Sequence, residues 1–126
     1  MQEKIKFYKC PICGNVVEVV EGDINHITCC GKKMEELVAN SFDASVEKHV
    51  PIYEQDNDEI IVKIGKTEHP MENVHYIMWI AQVTENRVVR VKLSPEEKPE
   101  AKFRYIKGST IYAYCNKHGL WKKEVK

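Results

Sequence analysis

Four cysteines near the start of the chain have a spacing that suits one metal ion. Cys10 and Cys13 form a C-x2-C pair, and the adjacent Cys29 and Cys30 follow after fifteen intervening residues. A C-x2-C turn directs two sulfurs at a common point, and four thiolates form a tetrahedral site for Zn(II) or a single iron. The chain has five cysteines, so they cannot all pair as disulfides. The pattern predicts a four-thiolate metal centre and leaves zinc and iron equally compatible.

The later part of the chain carries a second set of potential ligands, rich in histidine. Its members are His49, His69, His75, Cys115 and His118. Imidazole and thiolate together suit a transition metal, and the C-x2-H pair formed by Cys115 and His118 is a chelate. Spacing alone leaves open the alternative that these are ordinary surface or core histidines. His26, which is surplus to a filled four-thiolate site, is expected on the surface.

The two ligand sets fall in segments of different character. Residues 1–38 are too few to bury a core, since chains below ~40 residues usually need a metal, a disulfide or a partner to fold. We expect a strand or turn up to Tyr8 before the cysteine turn, a strand over residues 16–20 after it, and a short helical or irregular exit over residues 32–38. Polar, turn-prone residues predict a connector over residues 39–47.

Residues 48–126 show the patterns that are typical of strands. Ile60, Val62 and Ile64 recur at every second position, apolar and polar side chains alternate at residues 89–93 and 103–105, and residues 111–114 close the set. Residues 76–83 are apolar except for Gln82, as in a strand buried on both faces. Turn signals separate these runs, so the spacing predicts a β-sandwich.

Composition excludes several classes of function. The chain has 126 residues, of which 43% are hydrophobic and 30% charged, as in a globular protein. Nineteen Lys and Arg balance nineteen Asp and Glu, and this zero net charge argues against wholesale binding to nucleic acid or an anionic membrane. The charged start does not resemble a secretory signal, and the longest apolar run, residues 76–81, is too short to span a bilayer. We therefore expect a cytoplasmic protein with reduced thiols.

Taken in chain order, the motifs resemble those of the desulfoferrodoxin family, the two-iron superoxide reductases. The resemblance spans nearly the whole chain and includes every cysteine. It is carried by Cys10-Pro11-Ile12-Cys13-Gly14 with Cys29-Cys30, Glu47-Lys48-His49-Val50-Pro51, His69-Pro70-Met71, His75-Tyr76-Ile77 with Trp79-Ile80, and Tyr114-Cys115-Asn116 with His118-Gly119 and Trp121.

The resemblance implies a mainly β protein with two non-heme iron ions per chain. A desulforedoxin-like domain over residues 1–38 would hold one iron through the four early cysteines. An immunoglobulin-like β-sandwich over residues 48–126 would hold the catalytic iron, with the four later histidines as equatorial ligands and Cys115 as the axial one. Family members are commonly homodimers that accept electrons from rubredoxin-type donors.

The activity that the resemblance implies is the one-electron reduction of superoxide to hydrogen peroxide without release of dioxygen, a detoxification of oxidative stress. Lys48 would supply positive charge at the open position or hold a proton-donating water, and Glu47 would bind the ferric iron once product has left. Two rival functions are a pure electron carrier, which exogenous anion binding at the second iron would argue against, and a zinc-stabilised binding module. Visible absorption distinguishes a zinc-stabilised module from an iron protein, since zinc does not absorb visible light.

Overall fold

The computed structural model describes residues 5–65 and 69–126, and the chain divides into two compact units. The first unit is Met1–Val38 and the second is Ala39–Lys126. The predicted connector, residues 39–47, therefore belongs to the second unit, as does the helical turn that begins at Val46. Within the described residues, no helix has the length and apolar character needed to cross a bilayer.

In its described residues, from Ile5 onward, the first unit is built from five very short antiparallel strands. Strands β1 (Phe7–Lys9), β2 (Val16–Glu18) and β5 (Glu35–Glu36) form a sheet with β1 in the middle, and β3 (Thr28–Cys29) pairs with β4 (Lys32–Lys33). The prediction of a helical or irregular exit over residues 32–38 is therefore wrong, since β4 and β5 lie there. Cys30 and Gly31 both adopt left-handed backbone conformations, with φ of 55° and 75°, and turn the chain back so that β4 pairs with β3.

The second unit contains two antiparallel sheets that form a β-sandwich. The first sheet has the order β10-β7-β6, from β10 (Glu100–Arg104), β7 (Glu59–Ile64) and β6 (Pro51–Asp56). The second has the order β12-β11-β8-β9. Its strands are β8 (Ile77–Val83), β9 (Val88–Lys92), β11 (Thr110–Cys115) and β12 (Gly119–Glu124). A single helical turn, α1 (Val46–His49), precedes β6.

The core of the sandwich consists of the inward-facing side chains of both sheets. Ile60, Val62 and Ile64 alternate along β7 and are almost completely buried, and they belong to the same cluster as Ile77 and Ile111 of the opposite sheet. Each such side chain stabilises the fold by roughly 1.5–3 kcal/mol on full burial. The predicted alternation in residues 60–64 and the continuous burial of β8 are thus confirmed.

An irregularity in the second sheet lies beside the ligand positions. Tyr114 pairs with Trp79, whereas the next residue, Cys115, pairs with Ile77, so that Met78 is an extra residue in β8. A bulge of this kind bends a strand and redirects the side chains at its end. The bulge lies at the end of β11, next to Cys115, and at the start of β8, which follows His75 in the chain.

Candidate metal centres

The four early cysteines converge in the first unit and form what we call the first centre. Their sulfur atoms all lie within 4.8 Å of one another. The Sγ atoms of Cys13 and Cys29 are 3.6 Å apart, and those of Cys29 and Cys30 are 4.0 Å apart. A tetrahedron of sulfurs with metal–sulfur bonds of 2.3 Å has an edge of about 3.8 Å. The four thiols therefore have the spacing of one tetrahedral site.

Hydrogen bonds at the first centre shift the pKa values of two of its thiols in opposite directions. The backbone N–H groups of Ile12 and Cys13 each donate to the sulfur of Cys10 over 3.4 Å, and these bonds, that of Cys13 first, lower the pKa of Cys10 to about 6. A side-chain hydrogen bond with Cys10 raises the pKa of Cys29 to about 12. The thiol of Cys10 thus loses its proton readily, whereas that of Cys29 retains it, and a bound cation favours the deprotonated form of a coordinating thiol.

Five elements and loops of the second unit supply the ligands of what we call the second centre. His49 ends helix α1, His69 lies in the loop after β7, and His75 precedes β8. Cys115 ends β11, and His118 lies in the three-residue turn between β11 and β12. The ligand atoms of His49, His69, His75 and Cys115 all lie within 4.8 Å of one another.

The four imidazole rings of the second centre form a closed square. Successive ring centroids are 4.6 Å apart for His49–His69, 4.8 Å for His69–His75, 4.9 Å for His75–His118 and 4.8 Å for His118–His49. Neighbouring rings stand at 76–89° to each other. The ring centroids of His49 and His75, at opposite corners, are 6.5 Å apart, which is close to the diagonal of a flat square with these sides. These two rings are inclined by only 30°. The rings therefore surround one central point.

Hydrogen bonds to carbonyl groups determine which ring nitrogens face that point. Nδ1 of His49 lies 2.7 Å from the carbonyl oxygen of Ser45, and Nδ1 of His69 lies 2.7 Å from that of Pro70. Since a carbonyl only accepts, each Nδ1 must carry the proton, which leaves a lone pair on each Nε2. The Nε2 atoms of His69 and His75 are buried without a hydrogen-bond partner. Buried nitrogens without a partner are unfavourable, and a metal ion satisfies them.

His118 presents its other ring nitrogen to the centre. Its Nδ1 lies 3.0 Å from Nε2 of His49. Two ligands at right angles on a metal with bonds of 2.0–2.1 Å are separated by about 3.0 Å. The square thus accommodates a metal held by Nε2 of three histidines and Nδ1 of the fourth.

Three of the four histidines are held in the neutral state that metal binding requires. Burial is the main cause that lowers the pKa of His49, His69 and His75, and for His69 it lowers the pKa to about 4. The positive charges that neighbouring histidines would carry lower the pKa of His49 and His69 further. At neutral pH these three imidazoles therefore keep their lone pairs free for a metal.

Cys115 is the buried thiol of the second centre. Its side chain is completely buried, and this burial raises the pKa of the thiol. Backbone hydrogen bonds from Lys117 and His118 act in the opposite direction and lower the pKa of Cys115. Burial thus disfavours the thiolate form of Cys115 by itself, whereas a bound cation deprotonates a coordinating thiol.

Two aromatic residues support these ligands, and sequence reasoning did not assign them that role. The indole ring of Trp121 stacks on His49 with centroids 4.9 Å apart, and its Nε1–H donates to the carbonyl oxygen of His118 over 3.0 Å. Phe42, which is half-exposed, lies with its ring 5.3 Å from that of His118. The only signal in the sequence is that Trp121 follows the C-x2-H pair by three residues.

The structure places Glu47 and Lys48 on the exposed side of α1, one turn of helix that ends with His49. Ser45 caps this turn, since its hydroxyl accepts from the N–H of Lys48 over 3.3 Å. The charge of Lys48 contributes to lowering the pKa of both His49 and His75. Its electrostatic field therefore reaches the second centre. His26 is exposed, as expected.

The fold and the two sites define a class of protein: a mainly β metalloprotein with a tetrathiolate centre in a small first unit and a centre of four histidines and one cysteine in a β-sandwich. The chain belongs to the desulfoferrodoxin family. Residues 2–37 match the N-terminal domain of desulfoferrodoxin, and residues 41–124 match the main Desulfoferrodoxin family domain. The family holds two iron centres, and both ligand sets are assembled here.

Individual relatives agree with this assignment. The chain is 50% identical over 125 residues to a desulfoferrodoxin of Syntrophotalea carbinolica, a match that covers 98% of this chain and 99% of the relative. The crystal structure of the superoxide reductase from Treponema pallidum is similar with a TM-score of 0.75 and 25% identity, covering 97% of this chain and 100% of that one. A one-iron superoxide reductase from Giardia intestinalis has a TM-score of 0.52 and 30% identity, covering 61% of this chain and 95% of its own.

Proposed function

We propose that this chain is a superoxide reductase and that the second centre is where superoxide reacts. The observation that carries this proposal is the square of four imidazoles with the buried sulfur of Cys115 beside it. Four neutral nitrogens and one thiolate would hold a metal ion through five ligands and would leave room for one further small ligand. The desulfoferrodoxin and superoxide reductase relatives support the same conclusion.

Ferrous iron held by these residues would supply one-electron reduction, and the thiolate of Cys115 would favour it by increasing the electron density on the iron. The overall reaction combines one superoxide, one electron and two protons to give one hydrogen peroxide. No dioxygen forms, since no second superoxide is oxidised.

The chain itself gives a small anion access to the site. His49 and His69 are each 2% exposed, whereas His75 and His118 are only partly buried, so the square meets solvent along one side. The protein has zero net charge, and a local positive field is therefore needed to attract superoxide. Lys48, whose charge acts on two of the histidines, provides such a field and can hold a water that donates a proton.

Glu47 has a separate role in this proposal. It lies two residues before His49 on the exposed side of the same helical turn. A carboxylate is a hard ligand and prefers ferric to ferrous iron. Glu47 would therefore be the residue that holds ferric iron at its open position, where its carboxylate would compete with other anions.

The wider setting is also part of the proposal. Five thiolate ligands, all free of disulfides, suit a reducing compartment such as the cytoplasm. A rubredoxin-type protein supplies the electrons, and the active form is a homodimer, as the resemblance to desulfoferrodoxins implies.

A rapid-mixing experiment tests the function. The reduced two-iron protein is mixed with superoxide, and the oxidation state of each centre is followed by its visible absorption. Superoxide should oxidise the second centre rapidly while the tetrathiolate centre stays reduced on that timescale. If both centres accept and give electrons only with protein partners and neither reacts with superoxide, the chain is an electron carrier instead. A colourless, zinc-loaded protein would indicate a binding module.

A further inference from the structure

His75 enters the second centre from a tight turn whose backbone is paired with itself. The N–H of Glu72 donates to the carbonyl oxygen of His75 over 2.9 Å, and the N–H of His75 donates to that of Glu72 over 3.1 Å. This pair of bonds closes the turn over residues 72–75 but does not connect it to any other ligand. Val74, within the turn, is 66% exposed.

Asn116 connects this turn to the end of β11. Its backbone N–H donates to the carbonyl oxygen of Tyr76 over 3.2 Å. Its side-chain Oδ1 accepts from the N–H of Tyr76 over 2.9 Å, and its Nδ2 donates to the carbonyl oxygen of Val74 over 3.0 Å. The side-chain amide offers the same donor and acceptor as a peptide group, so it extends the pairing of β8 with β11 beyond the bulge.

We propose that Asn116 is a positioning residue that fixes His75 relative to Cys115. Asn116 directly follows Cys115, and its side chain binds the backbone on both sides of His75, forty residues away in the sequence. It thereby couples a thiolate ligand to an imidazole ligand from another strand. The inference rests on the metal centre of the proposed function and does not depend on the reaction with superoxide.

His75 has particular need of such support. His49 and His69 are each oriented by a ring hydrogen bond to a carbonyl within four residues, from Ser45 and Pro70. For His75, the structure instead holds the backbone on either side of the residue, through Asn116. Partners that orient metal ligands contribute strongly to affinity, and their removal typically weakens metal binding ~10–100-fold.

The test compares substitutions of Asn116 with matched substitutions of Asn73, an exposed asparagine in the same turn. Competition with a ferrous chelator measures the iron affinity of the second centre in the two-iron protein, and visible absorption monitors the first centre. N116A should weaken binding at the second centre by ~10–100-fold. N116D keeps the shape and the acceptor for Tyr76 but loses the donor to Val74, and it should show an intermediate loss. N73A and N73D should bind iron like the wild type.

A spectroscopic measurement separates positioning from a purely structural role. Electron paramagnetic resonance of the ferric second centre reports the symmetry of its ligands, and it should change in N116A and N116D but not in the Asn73 variants. If N116A does not fold, N116D alone tests the positioning role, because aspartate has nearly the same size as asparagine. Wild-type affinity and an unchanged signal in N116D would overturn the inference, as would an equal loss in N73D. Absence of a superoxide reaction in the wild type would refute the proposed function and leave this result standing.

Discussion

The Nε2 atom of His49 lies 3.0 Å from the Nδ1 atom of His118, although the two residues are 69 positions apart in the sequence. His49 is fixed by its helical turn and the carbonyl group of Ser45, and His118 by the turn between β11 and β12. The two nitrogens therefore meet only when both parts of the second unit are folded. This contact closes the square and makes the second centre a product of the tertiary fold.

Acid should remove iron from the second centre only well below the ordinary pKa of histidine. Protons compete with iron for the imidazole nitrogens, and the lowered pKa values, about 4 for His69, weaken this competition. We expect the second centre to retain its iron at pH 5.5 and to lose it as the pH falls towards 4. Iron retained after gel filtration at each pH measures this, and H26Q should behave like the wild type. A midpoint at or above pH 6.5 would contradict the prediction.

The first centre should be dispensable for the reaction with superoxide. The two ligand sets lie in separate units, and the described second unit has its own core. We expect C13S to empty or perturb the first centre, with loss of its visible absorption, while the second centre reacts with superoxide at a rate within about threefold of wild type. The matched variant C115S should lose the reaction and keep the first centre. A folded, one-iron C13S protein without the fast reaction would show that the centres are obligately coupled.

Removal of Glu47 should change the ferric state alone. In the proposed role Glu47 binds ferric iron reversibly, so its removal should leave the iron content, which nine other side chains determine, unchanged. E47A should keep both irons, alter the ferric absorption of the second centre and bind azide more tightly, because the open position is then free. Titration with azide and spectra over a range of pH measure this, with E72A as the control for the loss of a nearby negative charge. An unchanged ferric spectrum at every pH would exclude Glu47 as a ligand.

Lys48 should act on the encounter with superoxide. Its charge reaches His49 and His75, and such a field raises the association rate of a small anion by ~10-fold or more. K48I should keep both irons and the resting spectrum, react more slowly, and depend less on salt, because screening acts over a Debye length of ~8–10 Å. Pulse radiolysis at several ionic strengths measures both quantities. K123I, at the far end of β12 from the site, should match the wild type. If K48I reacted at the wild-type rate with the wild-type dependence on salt, the positive field would have to come from other groups.

Local patterns in the sequence predict much of the fold, but they do not predict the geometry of the second centre. The alternation of residues 60–64 and the apolar run that became β8 predict strands because their side chains face one core. Strands β6 and β12 have mostly exposed or charged side chains at one end, so the sequence carries little signal for them. The two short strands after Gly31 have no local signal, because β4 depends on the left-handed turn at Cys30 and Gly31, and β5 depends on its pairing with the distant β1.

The ligand types were accessible from the sequence, and their arrangement required the tertiary structure. Cys115 and His118 form a recognisable chelate, yet the use of Nδ1 by His118 depends on the turn that β11 and β12 impose. The support of His49 by Trp121 and of the His75 turn by Asn116 joins residues 40 or more positions apart. Local spacing contains no information about such contacts.

The stoichiometry of products tests the central claim most directly. The fully reduced two-iron protein is mixed anaerobically with a known, substoichiometric amount of superoxide, and hydrogen peroxide, dioxygen and oxidised second centre are measured together. The account predicts one hydrogen peroxide and one oxidised second centre for each superoxide consumed, with no dioxygen above the spontaneous background. One dioxygen for every two superoxide ions, with the second centre left reduced, would show dismutation and contradict it.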